Sequence, residues 1–465
     1  MTEKRDLIIV GGGPGGYVAA LRAAQLKKRV LLVEEDRVGG TCMNWGCIPT
    51  KFLLHQTKLF WELRENKRFG GPIDQVSCDW ARVQADRVKV VDRLVRGTEF
   101  LLQKNRVETI KGRAKLLDEK RISVALEGQE KIFEAGRIIL ATGSRSSELP
   151  FLRPDKRKVI TSREALELET IPESLLVVGA GAIGLELGTI YSRLGAKVTV
   201  LELLPTILPG CDREMGLRLE RILKTQGLAI FTQMRIDRAE RADGRMKLSG
   251  MCIKTSAAFS YEAEKVLLAV GRRPNSDTFQ SQPGLVRLEK EFVAVNEKLQ
   301  TNLAGVFAIG DLIGGKLLAH KASHEGLAAV ENAFGRAEAM DYSALPQAVF
   351  TEPEFASVGL TEEEARERGI ACQIGVFSLQ ANGRALTMDR PEGMVKLIAG
   401  PDDTLLGAHL LAPSASDLIA ELTLAIRKKL KLGDVSSTIH IHPTLSETVM
   451  EAALKAKGLA LHALN

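Results

Sequence analysis

Residues 6–11 (DLIIVG) form an unbroken apolar run between a charge and a glycine, the pattern of a strand buried on both faces. GGGPGGYVAALRAAQLKK follows and predicts a glycine turn opening a helix. RVLLVEE then predicts a second strand that ends on acid. The pattern recurs in SLLVVGAGAIGLELGTIYSRLGAKVTVLE, again strand, glycine turn, helix and strand. Further on, TNLAGVFAIGDL (301–312) predicts a strand ending at Gly310–Asp311, and LLAHKASHEGLAAVENAF (317–334) a helix. VGGTCMNWGCIPTKFLLHQTKLFWEL predicts a glycine turn entering a helix.

Both β–α–β units carry glycines in GxGxxG spacing: Gly11, Gly13 and Gly16 in the first, Gly179, Gly181 and Gly184 in the second. In each an acid lies 18 residues after the third glycine, Glu34 and Glu202. Such glycines let the backbone approach a pyrophosphate, the helix N-terminus offers it free N–H groups, and the acid accepts from ribose hydroxyls. One copy alone is weak evidence. Two copies in matched context predict two dinucleotide sites. Glu202 would repel a 2′-phosphate, which points to NAD at the second site. The first precedes a cysteine pair, and a flavin can pass two electrons between a dithiol and a nicotinamide, which points to FAD there. Asp311, at a predicted strand end, suits the ribitol hydroxyls of FAD or, alternatively, a plain helix cap.

Composition bounds the rest. The 465 residues suggest about three or four domains. The net charge of +6 comes from 64 basic and 58 acidic residues, mixed along the chain without a basic run or aromatic–basic interleaving, so no nucleic-acid partner is expected. No apolar run reaches membrane-spanning length. The polar start, MTEKRD, does not read as a secretion signal, and six scattered cysteines do not read as a secreted disulfide framework. The cytoplasm is the expected compartment, where a disulfide is more often catalytic than structural.

Cys42 and Cys47 have four residues between them, unlike the two of most zinc and thioredoxin-like motifs. On an ideal helix, Cα atoms five residues apart are roughly 8.6 Å apart. A disulfide needs about 4.4–6.8 Å. If the two pair, the helix must be distorted between them, and the short loop would make the bridge easy to reduce. Two unpaired, packed thiols are the alternative. Near the C-terminus, HIHPTLSE places Glu447 five residues after His442, where it can orient the imidazole as a base for a dithiol. His440 fits packing better.

These segments together resemble the class I pyridine nucleotide–disulfide oxidoreductase family. GGTCMNWGCIPTK resembles its redox motif. GAGAIGLELG, GRRPN (271–275), AIGD (308–311), AHKA (319–322), FTEPEFASVG and HIHPTLSE also match, so the resemblance runs from residue 6 to about residue 451. It is strongest to the branch that oxidises dihydrolipoamide. The resemblance implies an α/β fold, with two Rossmann-like dinucleotide-binding domains plus a central domain and a C-terminal α+β dimerisation domain. The implied domains are an FAD domain over 1–145, an NAD domain over 146–270, a central domain completing the FAD site over 271–345 and an interface domain over 346–465.

It further implies a homodimer in which the histidine of one subunit completes the disulfide site of the other. Its partners would be lipoyl domains of a 2-oxo acid dehydrogenase or glycine cleavage complex. The substrate thiolate, formed by His442 with Glu447, would attack Cys42, the more exposed sulfur, and expel Cys47 beside the flavin. Lys51 would pair with Glu186 near the flavin. Gly112, Thr142, Gly143 and Ala319 would join the FAD site, and Gly271 and Arg272 the NAD site. Ala182 would leave room for the nicotinamide. No metal site is implied. Glutathione reductase-like enzymes differ, with arginine at the position of Glu202 and VPKK in place of IPTK. Mercuric reductases carry a C-terminal cysteine pair, whereas the last cysteine here is Cys372. A low-turnover, complex-bound flavoprotein is a further alternative, against which the intact set of cysteines, His442 and Glu447 argues. Trp45 and Thr50 depart from the motif's more usual Val and Ser, and Trp45 would stack near the flavin or pack.

Overall fold

The structure is a computed structural model that describes residues 5–464 except 67, 69–75, 127, 278, 280, 283, 337 and 338. The start of the polar segment MTEKRD therefore lies outside the described residues. The first apolar run forms a strand over Arg5–Val10, helix α1 spans Pro14–Gln25, and the next strand is Val30–Glu34. Helices α2 (Gly40–Trp45) and α3 (Cys47–Glu65) follow, then α4 (Trp80–Lys104). Strands 108–111, 30–34, 5–10 and the C-terminal half of the long strand Gln129–Leu140 lie side by side and parallel. The N-terminal half of that long strand instead pairs antiparallel with 121–126, which pairs with 113–116. The apolar run near residue 306 joins this same sheet: Val306–Ala308 pairs parallel with Ile138–Leu140.

The second unit repeats the logic. Five parallel strands stand in the order 229–231, 197–201, 174–178, 265–268, 159–160. Short helix α5 (Ser162–Leu166), α6 (Ala182–Arg193) and α7 (Arg213–Thr225) accompany them. A three-stranded antiparallel sheet (234–242, 245–252, 258–263) attaches to this unit. Helix α8 covers Ala319–Ala333, two residues inside the expected start. The C-terminal part is a five-stranded antiparallel sheet in the order 347–349, 354–359, 405–412, 394–399, 373–378, with helices at 415–427 and 447–456 packed on it.

Two expectations are corrected. The strand predicted over 301–312 is only Val306–Ala308, and Gly310–Ile313 is a 3₁₀ turn. Gly310 has a φ of +73°, which breaks the extended chain before Asp311. The single helix predicted across the cysteines is two helices, α2 and α3, separated at Gly46. Leu53 and Leu54 of α3 share a core with the second sheet (Val177, Val198) and with Phe355 and Leu411 of the C-terminal sheet. That packing holds the helix carrying Cys47 between all three units.

Candidate active site: one cavity shared by the first glycine turn, the start of α6 and two thiols

Each glycine turn is closed by its own acid. The Gly12 amide donates to Glu34 Oε2 at 2.6 Å, and the Asp36 amide to Oε1 at 2.9 Å. In the second unit the Ala180 amide donates to Glu202 Oε2 at 2.7 Å and the Leu204 amide to Oε1 at 2.8 Å. Both carboxylates thus brace the turn, a role the sequence reading missed. The repeated acid spacing was its signal. A carboxylate has about four lone-pair sites, so two remain for hydroxyls. Burial pushes the Glu34 carboxyl above its usual range, against the pull of its two amides. Gly112 supports the same corner: its amide donates to the Glu34 carbonyl at 2.8 Å, and a Cβ there would stand 2.8 Å from the Ala125 carbonyl.

The cysteines meet because of Gly46. A Cβ at this position would lie 2.8 Å from the Thr41 carbonyl and 3.2 Å from the Cα of Cys42. Only glycine allows α3 to start that close to α2. Thr50 donates its hydroxyl to the Gly46 carbonyl at 2.6 Å, and Pro49 is accommodated in the first turn of α3. The cysteines stand as two thiols with their side chains hydrogen-bonded. Both cysteines line the cavity described below, Cys42 half-buried and Cys47 with its free surface toward that space.

The hydrogen bond from Cys42 holds the Cys47 thiol below its ordinary range, helped by the Lys51 ammonium and opposed by burial and Glu186. Cys42 is pushed up by the same bond and by burial. Lys51 meets Glu186 Oε2 at 2.8 Å and Oε1 at 3.0 Å, as expected. Phe350 completes the pair: its amide donates to Glu186 at 3.0 Å and its ring centroid lies 4.4 Å from Lys51 Nζ.

A cavity of about 730 Å³ collects these groups. Gly13, Cys42, Cys47, Thr142, Gly143 and Asp311 line it, as do Lys51, Glu186, Ala182 and Ala319. Arg272, expected at the second site, also lies on this wall. It donates to the Ser144 hydroxyl and carbonyl, each at 2.7 Å, and stands 3.8 Å from Asp311. Ser144 in turn donates to Asp311. Gly271, with φ +117°, precedes this arginine. Trp45 lies on the same wall, 4.2 Å below the Arg163 guanidinium.

His442 is elsewhere. Its Nδ1 is 2.9 Å from Glu447 Oε1, Glu447 Oε2 accepts from the Thr444 amide at 2.8 Å, and the imidazole is 80% exposed. Although partly desolvated, Glu447 is held below the usual carboxylate range by that amide and by His442. Within one chain His442 does not line the cavity. His440 is tied to the Thr438 carbonyl at 2.8 Å and Glu421 at 3.2 Å.

Comparison with known proteins settles the relationship. Residues 5–326 match the pyridine nucleotide-disulphide oxidoreductase family, and residues 345–453 match that family's dimerisation domain. The chain belongs to this family. Among curated relatives, the dihydrolipoyl dehydrogenase of Staphylococcus aureus is 41% identical, with 99% of this chain and 98% of the relative covered. The mitochondrial dihydrolipoyl dehydrogenase of Pisum sativum is 38% identical over 99% and 93%. Among solved structures, LpdA of Mycobacterium tuberculosis has a TM-score of 0.87 at 27% identity, covering 96% of this chain and 99% of the other.

The oxidoreductases of this family are flavoproteins that use FAD and a pyridine nucleotide. The wall of the cavity fits such groups. Helices α1, α6 and α8 all begin on it, and none has a side chain capping its N-terminus, so the first-turn amides, from Gly15 onward in α1, are left for an anion. A Cβ at Gly13, Gly143 or Gly181 would meet nothing within 4 Å, which leaves open space beside both turns. Among the described residues no helix is long and apolar enough to cross a membrane, and no cluster of side chains suits a metal ion.

Proposed function

We propose that this chain is a dihydrolipoyl dehydrogenase, oxidising protein-bound dihydrolipoamide to lipoamide and reducing NAD⁺. The observation that carries this reading is the single cavity whose wall combines the first glycine turn, both thiols and the start of α6 from the second turn. The relatives of that name support it. FAD would rest on Gly11, Gly13, Gly16, Glu34, Gly112, Thr142, Gly143, Asp311 and Ala319. NAD would rest on Gly179, Gly181, Gly184, Glu202 and Gly271, with Lys51 and Glu186 between the two groups. Arg272, on the wall with Asp311, would serve the flavin side. Bound there, FAD would supply the two-electron chemistry that links a dithiol to a nicotinamide.

The protein's own part is thiol–disulfide exchange. Glu447 accepts from His442 Nδ1–H, so Nε2 keeps a lone pair and removes the proton of a substrate thiol. The substrate thiolate bonds to Cys42 Sγ while the Cys42–Cys47 bond breaks, and Cys47 leaves with the electron pair. The second substrate thiol attacks the first substrate sulfur, releasing the lipoamide disulfide and a protonated Cys42. The products are lipoamide, the Cys42 thiol, the Cys47 thiolate and one proton on His442. Lys51 and the Cys42 thiol stabilise that thiolate.

Because His442 is remote from the thiols of its own chain, the reading requires a homodimer, which the dimerisation domain supports. The division at about residues 145, 270 and 345 belongs to the same proposal; the separate sheets of 159–268 and 347–412 support the second and fourth parts, while 306–308 joins the first sheet, as suits a central part that completes the FAD site. So do a cytoplasmic location and lipoyl domains as partners. The test is Cys42→Ser and Cys47→Ser: lipoamide turnover should fall to background in each while FAD stays bound. Near-normal turnover in either variant sinks the disulfide role.

A further inference from the structure

We infer that Lys321, Glu325 and Tyr342 are positioning residues that lock the Gly310 peptide and thereby hold Asp311 on the flavin wall. The Gly310 amide donates to Glu325 Oε2 at 2.7 Å, and the carbonyl of the same residue accepts from Lys321 Nζ at 3.4 Å. Lys321 and Glu325 pair at 2.8 Å one turn apart on α8, and the Tyr342 hydroxyl donates to Glu325 Oε1 at 2.7 Å. Lys321 is 4% exposed and Glu325 0%.

A buried ion pair is a poor way to stabilise a fold, because desolvation offsets most of its attraction and apolar residues of like size often serve as well. Apolar residues cannot, however, give one residue's N–H an acceptor and its C=O a donor. That is the service rendered here, at a residue in the left-handed region. The turn also lies between two cavities. Asp311 faces the one of about 730 Å³. Ile313, Gly314, Lys321 and Tyr342 line another of about 490 Å³. Ile309 and Leu312 on either side are fully buried, so packing holds the chain on both flanks while these hydrogen bonds set the orientation of the Gly310 N–H and C=O between the cavities. The brace itself is anchored, since α8 approaches α1 so closely that a Cβ at Gly326 would stand 2.5 Å from the Gly15 carbonyl.

This inference rests on the proposal that Asp311 holds FAD, so the experiment includes Asp311→Ala. Lys321→Met, Tyr342→Phe and Asp311→Ala are compared with the parent as holoenzyme and as apoprotein, by FAD dissociation constant, visible flavin spectrum and melting temperature. Lys321→Met should weaken FAD about tenfold and shift the flavin bands, with Tyr342→Phe weaker in both. In Tyr342→Phe, which keeps the ion pair, the melting temperature of the apoprotein should stay within about 2 °C of the parent's, whereas Lys321→Met, which leaves the buried Glu325 without its cation, should lower it in both forms. Parent-like FAD binding in Lys321→Met, with FAD lost in Asp311→Ala, overturns the brace alone. Parent-like binding in both overturns the placement of FAD on Asp311 and the brace with it. In Tyr342→Phe, a lowered melting temperature equal in apoprotein and holoenzyme, with FAD affinity and flavin bands unchanged, makes the cluster merely structural and also overturns the inference. Should Lys321→Met fail to fold, Tyr342→Phe, at the exposed edge, decides: unchanged FAD affinity overturns the inference.

Discussion

The two glycine turns are nearly one object built twice. Gly11 and Gly179 share a φ of +103°. A Cβ on Gly16 would stand 1.8 Å from the Gly11 carbonyl, and one on Gly184 2.0 Å from that of Gly179. Each acid accepts from the residue after the first glycine. What differs is the surroundings. Over the first turn lies the loop carrying the cysteines, so close that a Cβ on Gly40 would stand 2.8 Å from the Cα of Gly13. Behind it lies α8, where a Cβ on Gly15 would meet the Ala322 carbonyl at 3.0 Å. A Cβ on Gly13 or on its counterpart Gly181 would alike meet nothing within 4 Å, so the turns themselves leave the same room and only their neighbours differ. Local sequence builds the turn. Tertiary neighbours set the cysteine loop and α8 against the first turn and the loop at Leu208, whose amide donates to the Ala180 carbonyl at 2.9 Å, against the second; the cysteines and α8 at the first suit a resident flavin.

The sharpest way to break this comparison is to damage the turns one at a time. Gly16→Ala and Gly184→Ala place the same methyl against the same carbonyl, each costing at least about 2–3 kcal/mol locally. The first should yield protein with little flavin and low thermal stability. The second should also melt lower but remain yellow and lose NADH affinity, read by NADH-dependent reduction of the flavin. Loss of flavin in both would mean that the second turn is not separable from the first.

That asymmetry also shows what the sequence could and could not reveal. The two β–α–β units, their glycines and acids, Lys51 with Glu186, and His442 with Glu447 were all legible, because each rests on short-range spacing or a resembling motif. Gly46 was written between the cysteines, but its close contact with Cys42 shows only once α2 and α3 are folded together. Ser144, Phe350 and Arg163 were not legible, because they reach the site through pairing with residues more than a hundred positions away. The strand predicted up to Asp311 was overextended because an apolar run does not reveal where a left-handed glycine will end it.

The thiols distinguish the first turn further. Cys47 owes its lowered pKa first to the Cys42 hydrogen bond and then to Lys51. A donor that stabilises the thiolate lowers the pKa, so removing the donor must raise it. In reduced Cys42→Ala enzyme, the pH dependence of Cys47 alkylation by iodoacetamide should therefore move to higher pH. Lys51→Met should move it the same way by a smaller amount. It should also leave the buried Glu186 carboxylate unpaired, at about 1–3 kcal/mol of stability, because Lys51 is partly solvated. An unmoved profile in Cys42→Ala would mean that the hydrogen bond does not set the thiolate.

At the second turn, Glu202→Arg should shift the ratio of kcat/KM values from NAD toward NADP. The structure adds a second consequence. Glu202 is 6% exposed and accepts from two amides, so arginine also removes the brace. Affinity for both nucleotides should drop, and the gain for NADP should be relative rather than absolute. Glu202→Gln, which keeps an acceptor, should leave the preference for NAD in place with a modest rise in KM. An unchanged ratio in Glu202→Arg would show that this carboxylate holds the turn and does not read the ribose.

The smallest effect belongs to Trp45, which has no counterpart at the second turn. Its ring lies 4.2 Å below the Arg163 guanidinium, and Arg163 stands 3.6 Å from Asp36, just past the acid of the first turn. The stack ties the redox loop to α5 of the second unit, across the mouth of the cavity. A partly solvated cation–π contact contributes about 0.5–1 kcal/mol. Trp45→Val should therefore raise the FAD dissociation constant by about two- to fivefold. Turnover at saturating FAD should be nearly unchanged, because neither thiol depends on the indole. Arg163→Gln should have the same effect, and the double variant no more than either alone, since both remove one contact. Additive losses would show that Trp45 and Arg163 act on the cofactor separately, and that the enclosure of the first turn comes from Gly40 and α8 without this clasp.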